Sequence, residues 1–225
     1  MYPSFIVEYG VAPHHLSKEV FIGIVKWLRE TRVEAKHTGR KLEADALKIV
    51  INRIYGALND AMDYLYDPEC TYTVTINLQL LLCGLIEAFE LNNFDVLSAN
   101  TDGLLVRLPL NRQGVFKHIC NEWSAYSKLD LETEKFEKYC RSAVNDYIAV
   151  RYGFYDALQE YNRCGVWIDS KGNTYTTRQA IEDKFIKFKG YFLQDPEYNK
   201  GFVYPVVKKA LKEYFLYGVD ITEFI

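Results

Sequence analysis

Residues 46–60, ALKIVINRIYGALND, constrain the chain more than any other stretch. Leu47, Val50, Ile51, Ile54 and Leu58 recur at the spacing of an amphipathic helix, so at about 100° per residue they share one face. Lys48, Asn52 and Tyr55, at steps of four and three, fall on a second stripe, and Gly56 ends the segment. A cation, an amide and a phenol in a row match the chemistry of a phosphate, a sugar and a base. The same residues also suit an ordinary solvated helix face.

The rest of the composition narrows the classes. With 225 residues, 49% hydrophobic and 15% aromatic, the chain can bury a sizeable core as one large domain or two small ones. No run reads as long enough for a membrane span, and the start MYPSFIVEYG lacks the charged region of a signal peptide. Cys70, Cys83, Cys120, Cys140 and Cys164 are odd in number and form no C-x-x-C pair, which predicts reduced thiols in a cytoplasmic protein and no zinc site. The net charge of −3 and a pI near 5.9 exclude a binder of nucleic acid that works through bulk positive charge, so any such contact needs local patches. Lys26, Arg29, Arg32, Lys36, Arg40 and Lys41 form one candidate patch, outweighing Glu30 and Glu34.

Along the chain, residues 10–17 read as a loop, and His14-His15 within it as solvent-exposed. Ser17 offers an N-cap with Glu19 in the first turn, Phe21, Ile24, Val25 and Leu28 follow at helical spacing, and Gly39 ends the helix. Tyr72, Val74 and Ile76 alternate as in a strand over 64–75, and 77–90 returns to helix. Apolar residues flanking Asn100-Thr101-Asp102-Gly103 predict a β-hairpin with an Asp-Gly turn across 94–108. Residues 113–129 and 135–146 read as helices, 144–150 as a strand, 184–190 as a turn, and 206–225 as an amphipathic helix with a tail.

Several of these stretches are similar to the motifs of the family B (α-like) DNA polymerases. KIVINRIYG, residues 48–56, resembles motif B, K-x-x-x-N-S-x-Y-G. Arg32 and Lys36 match the R-x-x-x-K of the preceding fingers helix. Residues 1–6, MYPSFI, resemble the second half of motif A, D-x-x-S-L-Y-P-S-I, whose catalytic Asp would stand four residues before Met1. Asn100-Thr101-Asp102 resembles motif C, Y-x-D-T-D-S, with Asp102 at the second Asp and Asn100 in place of the first. Residues 144–150 resemble the K-K-x-Y strand, of which Tyr147 is kept and the lysines are missing; Lys187-Phe188-Lys189-Gly190 resembles the K-x-K-G turn.

The resemblance implies an α+β fold: a polymerase palm sheet with a helical fingers hairpin and a helical thumb, truncated at its N-terminus and of phage type. Residues 1–13 would end the palm's motif A, 14–60 form the fingers, 61–155 the rest of the palm and 156–225 the thumb. It implies DNA-directed transfer of dNTPs to a primer 3′ end. Arg32, Lys36 and Lys48 would hold the triphosphate and Asn52 a phosphate or sugar oxygen. Tyr55 would lie beneath the nascent pair and Tyr2 against the sugar, excluding a 2′-hydroxyl. Asn100, Thr101, Tyr147, Lys187 and Lys189 would contact the primer or DNA. Asp102 would bind two Mg²⁺ ions shared with an Asp absent from the sequence, so the implied partners are primer–template DNA, dNTPs and an upstream portion bearing that Asp and an exonuclease, with no membrane. The alternatives are an inactive fragment or DNA-binding subunit of the same fold, and a basic helical hairpin that binds RNA or protein on an unrelated α+β domain.

Overall fold

The computed structural model describes residues 1–101, 103–143, 146–190, 205–220 and 222. Asp102 lies outside the described residues, as do Val144 and Asn145 of the primer-strand resemblance. The chain divides into two units, Met1–Leu131 and Glu132–Ile225.

In the first unit, α1 (Tyr2–Tyr9) begins with Pro3 in its first turn, where a missing N–H costs nothing, and ends at Gly10 in the left-handed region (φ 64°). Helix α2 (Lys18–His37) is capped as its sequence predicts, the Ser17 hydroxyl accepting from Val20 N–H, and Gly39 turns the chain with φ 75°. Helix α3 (Lys41–Ala57) then packs back on α2 as a hairpin.

Two details of α3 differ from the periodicity. Gly56 lies inside its last turn, which Ala57 ends. Val50 is 46% exposed, while Ala44, Ile51 and Ala57 are buried. Ala44 and Ala57 are small buried residues of α3, as Ala35 is of α2, and helices that meet at Ala approach more closely than helices that meet at Val.

The alternation at Tyr72, Val74 and Ile76 belongs to a helix, α4 (Pro68–Leu91), and not to a strand. Asp67 starts it, its carboxylate accepting from Cys70 N–H at 2.9 Å, and the hydroxyls of Thr71 and Thr75 donate to the carbonyls one turn back. These bonds accommodate β-branched residues that pattern alone assigns to a sheet. The buried residues Cys70, Val74, Leu78, Leu82, Leu85 and Phe89 follow helical spacing. Read as one element, the segment is long and apolar enough to cross a membrane by length and composition, with a mean hydropathy of 1.6 over its most apolar 18 residues. Divided into a strand over 64–75 and a helix over 77–90, the same residues show no such run.

The hairpin forms as expected: β1 (Asp95–Ala99) pairs antiparallel with β2 (Leu104–Arg107), with a bulge between Val96 and Ser98. Helix α5 (Gln113–Ser127) follows, and its Trp123 indole donates to the Leu81 carbonyl of α4 at 2.7 Å. One core holds Phe5, Ile6, Val25, Leu58, Val74, Leu78, Phe89, Phe94 and Ile119. All five cysteines are free, and burial pushes the Cys70 thiol up to about 11.

In the second unit, the charged stretch expected as a helix is a strand, β3 (Phe136–Ala143). It pairs with β4 (Asp146–Arg151), which pairs with β7 (Ile186–Lys189), all antiparallel. The charges of Lys138 and Arg141 suggest a solvated helix, but Tyr139, Tyr147 and Ile148 supply the cross-strand partners that favour a sheet. Residues 132–155, grouped with the palm by resemblance, thus pair their strands within Glu132–Ile225. Helix α6 (Phe154–Cys164), the small hairpin β5 (Trp167–Ile168) and β6 (Thr174–Tyr175), α7 (Arg178–Phe185) and α8 (Pro205–Tyr217) complete the unit around Ile148, Val150, Phe154, Ile181 and Leu216. Glu182 of α7 is buried with Arg178 at 3.0 Å and with Lys212 and Tyr217 of α8. Burial opposes its charge, and the bonds from Lys212, Tyr217 and Arg178 overcome that and hold the carboxyl below its ordinary range.

Asp67 also accepts from the His14 backbone N–H and meets its Nδ1, each at 2.8 Å, so one carboxylate joins the 10–17 loop to the start of α4. Burial opposes its ionisation, yet these bonds and that from Cys70 bring its pKa down to about 2. Its contribution is therefore present above the ordinary value of 3.8 and is lost as pH falls toward 2; the hydrogen bond to Asp67 raises His14 above 6.5, so that residue's share is complete below 6.5 and is lost on going alkaline. Asp67→Ala should destabilise this unit by roughly 1–3 kcal/mol, the value of a cap and an unmade bond, in urea melts at pH 5.5. The deficit should shrink toward pH 2.

Candidate functional site

Helices α2 and α3 place the candidate cations. Arg32 stands seven residues before Gly39 and Lys48 nine after it, about 10 and 14 Å along their helices at 1.5 Å per residue, so the two lie at similar heights on the hairpin. Lys36 lies nearer the turn, and Asn52 one turn beyond Lys48. Lys36, Lys48 and Asn52 are exposed and Arg32 is half-buried. The Arg32 Nε is enclosed and has no hydrogen-bond partner among the described residues.

Neighbouring arginines are occupied. Arg40 binds Glu34 and Glu43, Arg53 binds Asp60 and Asp63, and Arg29 lies 3.9 Å from both Glu8 and Asp130. Among the described residues, no carboxylate stands within 4.0 Å of the charged groups of Arg32, Lys36 or Lys48. The cations that the resemblance assigns to a triphosphate are thus uncompensated, and charge-assisted donors of this kind suit phosphate oxygens.

Tyr55 departs from the exposed stripe. It is half-buried, and its ring stacks on Tyr2 with centroids 4.1 Å apart and planes within 2°. Its hydroxyl shares a hydrogen bond with Thr75 Oγ1 at 3.3 Å. Residues 2 and 55, from the two stretches that resemble motifs A and B, therefore meet in space, and both pack on the core that also carries Val96 and Leu104 of the hairpin.

At that hairpin's tip, Asn100 N–H donates to the Gly103 carbonyl at 3.0 Å and closes the turn, with Thr101 exposed. The closing pair is Asn100 and Gly103. Two Mg²⁺ ions need at least two carboxylates to offset their mutual repulsion. The turn contributes Asp102 and the neutral Asn100, and among the described residues no cluster of three acidic, His or Cys side chains exists. The described residues do not by themselves fit a two-ion site.

In the second unit, Tyr147, Lys187 and Lys189 come together on one face of the sheet. Tyr147 pairs with Lys189 and Ala149 with Lys187, and the Lys189 ammonium lies 6.0 Å from the Tyr147 ring centroid. The face holds more than the sequence reading assigned. Tyr139 stacks on Tyr147 at 4.9 Å, Arg141 pairs with Tyr147, and Lys187 lies over Phe136 at 5.7 Å. Reading 136–143 as a strand would have exposed this set, because residues 139 and 141 then alternate onto the face of 147 and 149.

No family model matches the chain, and no curated protein matches it by sequence. Among the solved structures that match is the family B DNA polymerase from the hyperthermophilic archaeon Pyrobaculum calidifontis, with a TM-score of 0.51 and 19% identity over 68% of this chain and 25% of that chain. The likeness shows a mixed helix-and-strand fold like that of a family B polymerase, and the chain spans a quarter of that enzyme. It lends nothing to the phage type.

The aromatic stack yields a test of the geometry. Tyr2→Ala and Tyr55→Ala should each destabilise the first unit, and a double-mutant cycle in urea should give a coupling of about 0.5–1.5 kcal/mol for the stacked pair. Additive losses would separate the two rings.

Proposed function

We propose that this chain is the C-terminal polymerase segment of a family B DNA-directed DNA polymerase, in which α2 and α3 are the fingers, the β1–β2 hairpin belongs to the palm and the α6–α8 region is the thumb. The reaction is template-directed transfer of a nucleotide from a dNTP to a primer 3′ oxygen. The single observation that carries the reading is the stack of Tyr2 on Tyr55, which joins the two stretches that resemble motifs A and B on the core beneath the motif C turn. The polymerase-like fold and the uncompensated cations of the hairpin support it.

In this reading Lys48, Arg32 and Lys36 donate to the β- and γ-phosphates and stabilise charge that develops on a bridging oxygen. Asn52 bonds a phosphate or sugar oxygen. Tyr2, braced by Tyr55, lies where a ribose 2′-hydroxyl would collide, and Tyr147, Lys187 and Lys189 contact the primer strand. Base identity comes from template pairing, so no side chain needs to read a base edge. Magnesium, when bound, would supply the charge stabilisation usual for nucleotidyl transfer. Asp102 would hold it together with a carboxylate contributed by an upstream portion of the enzyme.

The chain purified alone should therefore fail to extend a primer in Mg²⁺, because one carboxylate alone does not offset the mutual repulsion of two divalent ions. Adding an upstream segment with the motif A Asp should restore synthesis, and Asp102→Ala in that complex should abolish it. Robust extension by the chain alone would refute the missing-carboxylate argument. In the completed enzyme, Lys48→Ala should weaken nucleotide use by roughly 1.5–3 kcal/mol while primer–template affinity barely moves. Equal loss of both would assign the hairpin face to DNA. Tyr2→Ala should raise ribonucleotide incorporation relative to deoxynucleotide incorporation.

A further inference from the structure

The sheet face of the second unit carries a carboxylate in an unexpected place. Glu134, on the coil before β3, spans two cations of different strands: its Oε1 accepts from Arg151 Nε at 2.6 Å, and its Oε2 pairs with Lys187 Nζ. All three side chains are a little over one-third exposed, so the cluster opens to solvent. Arg151 is held from its other side, NH1 donating to the Lys184 carbonyl, which fixes the guanidinium with its Nε edge turned to Glu134. Phe136 underlies the Lys187 ammonium.

Two fixed donors converging on one carboxylate make an anion site, and a phosphodiester presents the same paired oxygens to it. We propose that Arg151 and Lys187 form a backbone-phosphate site for DNA, and that Glu134 occupies it in the free protein as a resident competitor. The proposal rests on the reading of this face as a DNA contact and extends it by one ligand, Arg151, and one antagonist, Glu134. The site is continuous with the rest of the face: Lys189 follows Lys187 two residues on, about 6.6 Å along the same strand and on the same side.

Glu134 stands on coil, so displacing its side chain breaks no helix or strand. Residues 128–135 belong to no helix or strand, and the nearest backbone tie is the Tyr152 N–H to the Lys135 carbonyl at 3.0 Å. Burial opposes the Glu134 charge, but the bonds from Lys187 and Arg151 hold its carboxyl below the ordinary range, so it remains an anion at neutral pH. DNA must therefore displace a charged group, and binding should be weaker and less salt-dependent than the cations alone would give. A phosphate that takes the place of Glu134 still releases its condensed counterion, but the freed carboxylate attracts cation from solution, so the net release is smaller.

The test is fluorescence anisotropy with a labelled primer–template duplex, titrated with the full chain at several KCl concentrations. E134Q should bind about three- to tenfold more tightly at low salt, the value of a partly exposed ion pair, and its log–log salt slope should steepen by about one to two. K187Q should remove that gain in the E134Q background and change wild-type affinity less. Thermal melts of E134Q and E134A check folding; whichever variant melts like wild type carries the test, and loss of fold in both would overturn the proposal by making Glu134 a structural residue. Unchanged affinity and slope in a folded E134 variant, or a gain that survives K187Q, would also overturn it. If K189Q weakens binding while E134Q changes nothing, this inference fails and the DNA reading stands. If neither wild type nor E134Q binds the duplex, both fail.

Discussion

The first unit depends on the apolar face of α4. Cys70, Val74, Leu78, Leu85 and Phe89 line one side of Pro68–Leu91, and α1, the hairpin and α5 all pack against that helix. Each buried Leu or Phe contributes roughly 1.5–3 kcal/mol, far more than the surface pairs around it. The helix can play this part only if it starts correctly. An apolar run with several β-branched residues has a competing extended form, and the Asp67 cap with Pro68 decides against it. That the same carboxylate holds His14 means that the loop leading into α2 is positioned by the event that starts α4.

Charge is distributed by the same economy of partners. A net charge of −3 gives no general attraction for nucleic acid, so local compensation decides what each cation can do. Arg53 stands where the polymerase motif has Ser, and the fold consumes it in pairs with Asp60 and Asp63. Glu182 consumes Arg178 and Lys212 to hold α8 on α7. Arg32, Lys36 and Lys48 have no ion-pair partner among the described residues. Such a difference is invisible in a count of charged residues and visible in a list of their neighbours.

Much of this architecture is legible in the sequence where a local signal acts alone. The Ser17 cap, the Gly39 turn, the 94–108 hairpin and the α2–α3 hairpin all follow from capping, turn chemistry and periodicity. The failures fall where tertiary partners override local pattern. Residues 72–76 alternate like a strand because Thr71 and Thr75 satisfy their hydroxyls within the helix, which periodicity cannot register. Residues 136–143 look like a charged helix because the aromatic partner of Tyr139 lies across a strand pair, at Tyr147. The site divides likewise: its cations stand in a motif with a spelling, whereas the Tyr2–Tyr55 contact joins residues 53 positions apart, and Glu134 resembles nothing until its partners are seen.

That long-range contact explains how a polar stripe on a solvent-facing helix could be held for chemistry. Lys48 and Asn52 are on long or mobile side chains, and a helix free to rock would present them over several ångströms, whereas productive geometry tolerates much less. Tyr55 removes that freedom at the C-terminal end of α3. Its ring is clamped by Tyr2 of α1 and its hydroxyl is bonded to Thr75 of α4, so α3 is referenced to two helices of the core. The hairpin with Asn100 and Thr101 packs on that core through Val96 and Leu104. The stripe of Lys48 and Asn52 and the β1–β2 hairpin therefore share one frame of reference, and a phenylalanine at position 55 would keep the clamp but lose the bond that ties α3 to α4.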